Sequence, residues 1–375
     1  MKVFISAGET SGDMHAGEVV SELRHRFPSL QIHGVAGPRM LAAGCLPLHQ
    51  ISELNVMGLA EVLGALSRIR RIEESLLAWC IREQPDVAVL VDFSSFHMRL
   101  GRKLRQLGIP VVHFIAPKLW AWGAWRVRKL RRSQDALACI LPFEPAWFSD
   151  RGIAARYVGN PSAGSCAHGW SLEQFRQHIG VAEGRSVLAL LPGSRPQELK
   201  VHVPLLREVL LRLQATEENP PVCVVPVAPG VSMDVLEPLW QAGALPLDRN
   251  VADYALRADA AVAVSGTATL ELALWDVPTV LIYQTSALTV FLARMLVRLK
   301  CVGLANIILD DRPVMPELIQ HACTVENILG QLLPLLHQQA AADDQRHAFV
   351  ELRRRLGQQR AAAGVADMVE ELLHG

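Results

Sequence analysis

Several clusters of polar residues in this chain sit where an apolar, β-rich run gives way to a helical one, and each has a chemistry open to it. The first run ends in Gly8-Glu9-Thr10-Ser11-Gly12-Asp13. Small residues there permit a tight turn and close backbone approach to a ligand, and the helix N-terminus that follows favours an anion or a polar sugar group. An ordinary strand-to-helix turn, capped by Ser or Asp, fits the same residues. The run Asp86–Val91 ends in the carboxylate of Asp92. Its place at a strand end makes Asp92 a candidate general base, with helix N-capping as the alternative. Glu9, at the end of the first strand, is the nearest rival for that role.

The segment Ala116–Arg126 carries Trp120, Trp122 and Trp125, and Arg126, Arg128, Lys129, Arg131 and Arg132 follow. Aromatic and basic residues together can bind a sugar ring, single-stranded nucleic acid or a membrane interface, or the tryptophans can pack in a core. In the second half, Leu191-Pro192-Gly193-Ser194-Arg195 follows a strand-like run. A glycine turn with an arginine can hold phosphate through backbone N–H groups and the guanidinium. Ser265-Gly266-Thr267-Ala268-Thr269-Leu270-Glu271 opens a helix. It suits a diphosphate at the helix end and a ribose diol on Glu271. There is no G-x-x-x-x-G-K-[ST], D-x-D, H-E-x-x-H or G-x-S-x-G in the chain, and no divalent-metal site is indicated. Diphosphate charge is then left to helix ends and Arg195.

The elements that must position these residues alternate. Apolar runs at 2–7, 31–36, 86–92, 110–116, 135–141 and 155–158 are separated by spacers long enough for crossover helices, which predicts parallel pairing. A Pro, Gly, Ser and Ala stretch at 160–169 reads as a linker. A second series follows at 186–191, 222–227, 260–264 and 278–283, and the chain is helical from about 325. Two successive β/α series predict two Rossmann-like domains facing a cleft, with ligands beyond the carboxyl ends of the strands. The expected division is an acceptor- and membrane-facing domain over 1–165, a nucleotide-binding domain over 166–340, and a helical tail over 341–375 that packs back on the first domain.

Composition bounds the class. The 375 residues are 50% hydrophobic and 20% charged, which excludes a disordered chain. No run is apolar enough for a transmembrane helix, and the start reads as a strand rather than a signal peptide. Seven scattered cysteines without a C-x-x-C pair point to a reducing cytosol. Net charge is zero, yet residues 1–160 hold 20 basic against 14 acidic side chains, and residues 161–375 hold 17 against 23. The excess lies in 61–132, with 14 against 6, and suggests an anionic partner. In 56–77, Val56, Leu59, Val62, Leu63, Leu66 and Ile69 recur near helical spacing ahead of Arg68, Arg70 and Arg71. That pattern fits a helix lying on an anionic membrane or, alternatively, a core helix.

These residues, taken in order, resemble the lipid-A-disaccharide synthase family. The matching stretches are Ala7–Asp13, Gly34–Met40, Val56–Gly58 with Glu61–Leu63, Trp120-Ala121-Trp122, Leu141–Glu144, Leu191–Arg195, Ser265–Ala268 with Glu271, Asn306, and Glu317–Gln320. The resemblance implies a GT-B fold and an inverting transfer from UDP-2,3-diacylglucosamine to 2,3-diacylglucosamine 1-phosphate (lipid X), giving a β-1,6 disaccharide and UDP. It implies Asp92 as base, and Glu9 stays its rival by placement. UDP would lie on Gly193, Ser194, Arg195, Ser265, Gly266, Thr267 and Glu271. Ser11, Trp120, Asn306, Glu317 and Gln320 fall on the acceptor side or cleft. No cofactor and no nucleic acid are implied, and the location is the cytoplasmic face of the inner membrane, with anionic lipids as partners. Where the family commonly shows x-P-D-F-N after the strand-end Asp, this chain has Phe93-Ser94-Ser95-Phe96-His97. Two other readings stay open: a UDP-N-acetylglucosamine 2-epimerase-like enzyme, which shares the fold, and a non-catalytic paralogue that binds nucleotide or lipid.

Overall fold

The computed structural model describes residues 1–54, 62–165, 171–182, 184–228, 230–247, 257–285 and 300–374, with backbone alone at 62–66, 164–165 and 172. It comprises two compact units, Met1–Pro161 with Gln358–Gly375, and Ser162–Gly357.

The first unit is built on seven parallel strands: β1 (Lys2–Ala7), β2 (Gln31–Ala36), β3 (Leu46–Gln50), β4 (Val87–Val91), β5 (Val111–Phe114), β6 (Ala136–Cys139) and β7 (Ala155–Tyr157). Their spatial order is β3-β2-β1-β4-β5-β6-β7. The second unit has β8 (Val187–Leu191), β9 (Val222–Pro226), β10 (Leu245–Leu247), β11 (Ala260–Val264), β12 (Thr279–Tyr283) and β13 (Glu317–Ile319), ordered β10-β9-β8-β11-β12-β13. Both are doubly wound sheets. The central strands β4 and β11 are buried at every position because crossover helices cover both faces. That is why they read as unbroken apolar runs.

In each sheet the strand order reverses once, and the crevice beyond the strand ends at that point is where such folds bind ligands. In the first sheet the reversal lies between β1 and β4, with Ala7 beside Val91. In the second it lies between β8 and β11, with Ala263 beside Leu191. All the expected strands are present. Among the described residues three short ones are additional: β3, β10 and β13. Each is a sheet edge, and β3 and β10 contain Pro47 and Pro246, which an edge tolerates because one side needs no ladder donor.

The C-terminal stretch divides at Gly357. The helix Gln339–Leu356 belongs to the second unit, where the Gln345 side chain accepts from the Thr279 N–H at 2.8 Å. Gly357 takes φ 64°. The helix Ala361–His374 then returns to the first unit, burying Ala362, Val365, Ala366 and Val369 in the same core as Val3, Ile5 and Val89. Arg26–Asp367 (2.6 Å) and Arg156–Glu371 (2.8 Å) ion pairs fasten it at the surface. The expected 341–375 tail is thus divided, its first helix counted in the second unit and Ala361–His374 in the first.

Candidate functional site

The reversal point of the first sheet places Glu9, at the end of β1, and Asp92, at the end of β4, in one cavity of about 280 Å³ with Ser94, Ser95, Lys118, Trp122 and Arg126. Burial raises the Asp92 pKa, and the Phe93 N–H and the Lys118 charge oppose that rise. A carboxyl group so placed has the chemistry of a general base. Glu9 is exposed and precedes the helix Thr10–Arg26 without capping it. Ser11 lies exposed on that helix's first turn. Asp92 and Phe93 turn the chain with φ of 52° and 48°. Gly8 makes room for this turn, since a Cβ there would stand 2.2 Å from the Phe93 ring.

Asp13 does not cap its own helix. Its buried carboxylate accepts from the N–H groups of Gly37 and Arg39 at 2.9 Å and Met40 at 3.1 Å. It therefore caps the short helix Pro38–Ala42 and ties the first glycine-rich motif to the Gly37-Pro38-Arg39-Met40 turn.

Behind Asp92 lies a buried pair that sequence reasoning missed. His97 is fully buried, and burial pushes its pKa down to about 4. Its Nδ1 stands 2.7 Å from the Asp92 carbonyl, and its Nε2 2.9 Å from Ser6 Oγ. A carbonyl only accepts, so Nδ1 carries the proton and the Ser6 hydroxyl donates to Nε2. The signal in the sequence was the His five residues after the strand-end Asp.

Trp120, expected on the acceptor side, is half-buried and donates through Nε1 to Glu144 at 2.9 Å. The other Glu144 oxygen accepts from the Ile140 and Leu141 N–H groups. Burial nevertheless raises this carboxyl to a pKa of about 7. Trp120 thus fastens the wall of the cavity. Its neighbour Trp122 is the exposed ring, 47% accessible, with the Arg126 guanidinium over it at 5.6 Å. Arg126 also donates to Ser95 Oγ at 3.0 Å.

At the reversal point of the second sheet, Gly193 takes φ 99° and leads into the helix Pro196–Thr216. Here one expectation needs correction. The N–H groups of Ser194 and Arg195 are directed at Glu198 Oε2, at 3.1 and 3.2 Å. These backbone donors are occupied by the chain's own carboxylate, and the Arg195 guanidinium, 78% exposed, also pairs with it at 3.4 Å, leaving its other N–H groups to face an anion. Across the reversal, Gly266 and Thr267 are exposed and open the helix Thr267–Leu274. Ser265 donates to the Val302 carbonyl at 3.2 Å. Glu271 accepts from Ser162 at 3.4 Å.

Asn306 and Glu317 are a second correction. Asn306 is fully buried and cannot line an open site. Its amide donates to the Met315 carbonyl at 2.9 Å and to Glu317 Oε1 at 2.8 Å, and its oxygen accepts from the Met315 N–H at 2.9 Å. Glu317 in turn accepts from the Val302 and Gly303 N–H groups, both at 2.9 Å. The pair fixes the turn whose carbonyl receives Ser265. Gln320, at φ 57°, accepts at its own carbonyl from Gln284 Nε2 at 3.0 Å, and its side-chain amide pairs with the Thr285 backbone. His202 was also missed. Its Nε2 accepts from the Gln284 N–H at 2.9 Å, joining the end of β12 to the Pro196–Thr216 helix.

The helix Val62–Glu83 is a core helix over its described side chains. Ile72, Leu76, Trp79 and Cys80 are buried, and Ile69 packs against the same core rather than facing out. Buried Glu73 receives both Arg99 (2.6 Å) and Lys103 (2.8 Å). Arg68 and Arg71 are exposed, and Arg70 pairs with Glu74 at 3.1 Å. The side chains of Leu63 and Leu66, and Val56 and Leu59 entirely, lie outside the described residues.

Residues 3–369 match the family model described as Lipid-A-disaccharide synthetase. The lipid-A-disaccharide synthase of Myxococcus xanthus strain DK1622 is 37% identical over 375 residues, spanning 99% of this chain and 97% of its own. Among solved structures, a UDP-GlcNAc 2-epimerase from Neisseria meningitidis bound to UDP-GlcNAc superposes with a TM-score of 0.68 at 14% identity, over all of both chains. MurG from Acinetobacter baumannii gives 0.60 at 16% identity, over 99% of each. At such identities the structures speak for the fold alone, which is GT-B.

Proposed function

We infer the reaction from one premise: this chain belongs to the lipid-A-disaccharide synthetase family. It is a glycosyltransferase, a lipid-A-disaccharide synthase that uses a UDP-sugar and a lipid. The donor is UDP-2,3-diacylglucosamine and the acceptor 2,3-diacylglucosamine 1-phosphate. The observation that carries the residue-level reading is the Asp92 carboxylate, held at the reversal point in one cavity with Glu9 and Lys118.

A single inverting displacement follows from these groups. The acceptor 6-hydroxyl attacks the anomeric carbon from the face opposite the diphosphate. Asp92 takes the hydroxyl proton as the new C–O bond forms. The bond from the anomeric carbon to the phosphate oxygen breaks, and its electron pair leaves with UDP. Glu9 orients the acceptor from the same cavity. Arg195 meets the diphosphate charge, with Ser194 in the turn that Gly193 permits. The Ser265-Gly266-Thr267 turn contacts UDP, and Glu271 takes the ribose diol. No cofactor is required. Transfer proceeds at the inner face of the cytoplasmic membrane, where Arg68, Arg71, Leu63 and Leu66 meet anionic lipid. Among the described residues, no helix is long and apolar enough to cross a membrane.

Incubating the protein with UDP-2,3-diacylglucosamine and lipid X, with and without chelator, tests this. The expected result is a disaccharide 1-phosphate and equimolar UDP in both. An epimerised UDP-sugar, binding without transfer, or loss of transfer on chelation would each sink the corresponding part.

A further inference from the structure

We propose that His97 is the positioning residue that holds Asp92 in its working conformation, an inference that rests on Asp92 being the base. Asp92 and Phe93 are consecutive non-glycine residues in the left-handed region, at φ 52° and 48°. Such a turn costs energy and persists only where its surroundings over-determine it. Two backbone contacts pin Asp92 itself. Its N–H donates to the Phe114 carbonyl at 2.9 Å, within the sheet. Its C=O accepts from His97 Nδ1 at 2.7 Å. The second contact is the only one of the two that a side chain supplies, and it spans the turn from Asp92 to His97.

The imidazole is well suited to that task. It is fully buried, and Ser6 fixes its far nitrogen at 2.9 Å. Phe93 and Phe96 flank it with ring centroids at 5.9 and 5.5 Å, and His113 stands edge-on at 6.3 Å. The ring can neither rotate nor exchange its bond for one to water. His97 is not among the residues lining the cavity, so it acts through the Asp92 backbone and not on substrate. Its place in Phe93-Ser94-Ser95-Phe96-His97 gives that divergent segment a function: the chain builds the turn with an imidazole braced against Ser6.

Side-chain reach supplies the test. An Asn amide nitrogen stands at the reach of Nδ1, and a Gln amide nitrogen at the reach of Nε2. His97→Asn therefore keeps a donor for the Asp92 carbonyl and gives up Ser6, whereas His97→Gln does the reverse. Both variants are assayed for kcat and acceptor KM beside Asp92→Asn, with thermal unfolding as control. The expected result is a kcat for His97→Asn within about threefold of the parent. His97→Gln should fall about tenfold or more with acceptor KM little changed, as a misplaced catalytic group demands. Equal losses in the two variants, or parental kcat in His97→Gln, would overturn the proposal. If His97→Gln does not fold, His97→Ser, too short to reach the carbonyl, takes its place with the same expectation. Asp92→Asn separates the two layers. Parental kcat in that variant removes the base assignment itself. Its loss alongside equal Asn and Gln variants removes only the role of His97.

Discussion

Replacing Asn306 by Asp should harm the protein more than replacing it by Ala at pH 8, although Asp is the closer shape. The Asn306 amide nitrogen faces the Met315 carbonyl at 2.9 Å and Glu317 Oε1 at 2.8 Å. Both are acceptors, and the residue is fully buried. An Ala here leaves the Met315 N–H and C=O unpaired, a loss of about 2–3 kcal/mol. An Asp keeps the acceptor for the Met315 N–H but sets a second carboxylate against Glu317. Like charges at that separation in a dry site cannot both stay ionised. The total cost is then on the order of 3–5 kcal/mol. The sign of the pH dependence follows. The new carboxyl has a folded pKa above its unfolded value, so the variant regains stability as pH falls through the folded pKa and loses it as pH rises. Urea unfolding at pH 5 and pH 8, with UDP binding on the folded protein, reads this directly. At pH 8 the order of stability should be parent, Ala, Asp, with the gap between Ala and Asp narrowing at pH 5. Parental stability of Asn306→Ala with UDP binding abolished would refute the reasoning, because Asn306 would then be a ligand contact.

Other variants probe the remaining parts. Arg195→Ala should leave unfolding unchanged, its side chain being 78% exposed, while kcat/KM falls by roughly 30- to 1000-fold through a loss of about 2–4 kcal/mol; unchanged kinetics would remove it from the site. Glu144 has a folded pKa raised from the ordinary 4.5 to about 7, so the stability it contributes is present below pH 4.5 and declines as pH rises through 7. Glu144→Gln should flatten that decline in a pH series of unfolding midpoints, and an unaltered slope would contradict the assignment. Ile69→Ser should lower stability by about 1–2 kcal/mol without changing vesicle binding of the folded protein, since Ile69 packs on the core. The double variant Leu63→Ser with Leu66→Ser should weaken sedimentation with anionic vesicles, and undiminished binding would remove those leucines from the docking surface.

The central strands were legible because both faces of each sheet are covered. Val87–Val91 and Ala260–Val264 must then be apolar throughout, and the polar residues that end them stand out. Asp92, Glu9, Arg195 and Ser265 were singled out as candidates that way. The edge strands β3 and β10 escaped because Pro47 and Pro246 read against a strand. What the sequence hid was long-range side-chain pairing. Asp13 bonds to backbone 24–27 residues away, and Ser6 meets His97 across 91 residues. Glu198 fills donors only four residues back, yet the choice between serving an anion and serving its own turn depends on a side-chain conformation no motif records. Asn306 looked functional for a related reason. A polar residue in a motif signals constraint, and here the constraint is a buried network behind the site.

The most direct test of the account is the single-variant kinetics of Asp92→Asn, measured with both lipid substrates at saturation and with UDP affinity determined on the same preparation. General base catalysis contributes about 10²–10⁴-fold, so kcat should fall by that factor. UDP affinity should stay within about threefold of the parent, because the turns assigned to UDP lie in the other unit. The disaccharide that still forms should keep the β configuration. A variant that turns over at the parental rate would contradict the account and pass the role of base to Glu9. One that loses UDP binding or its fold along with kcat would make Asp92 a structural residue.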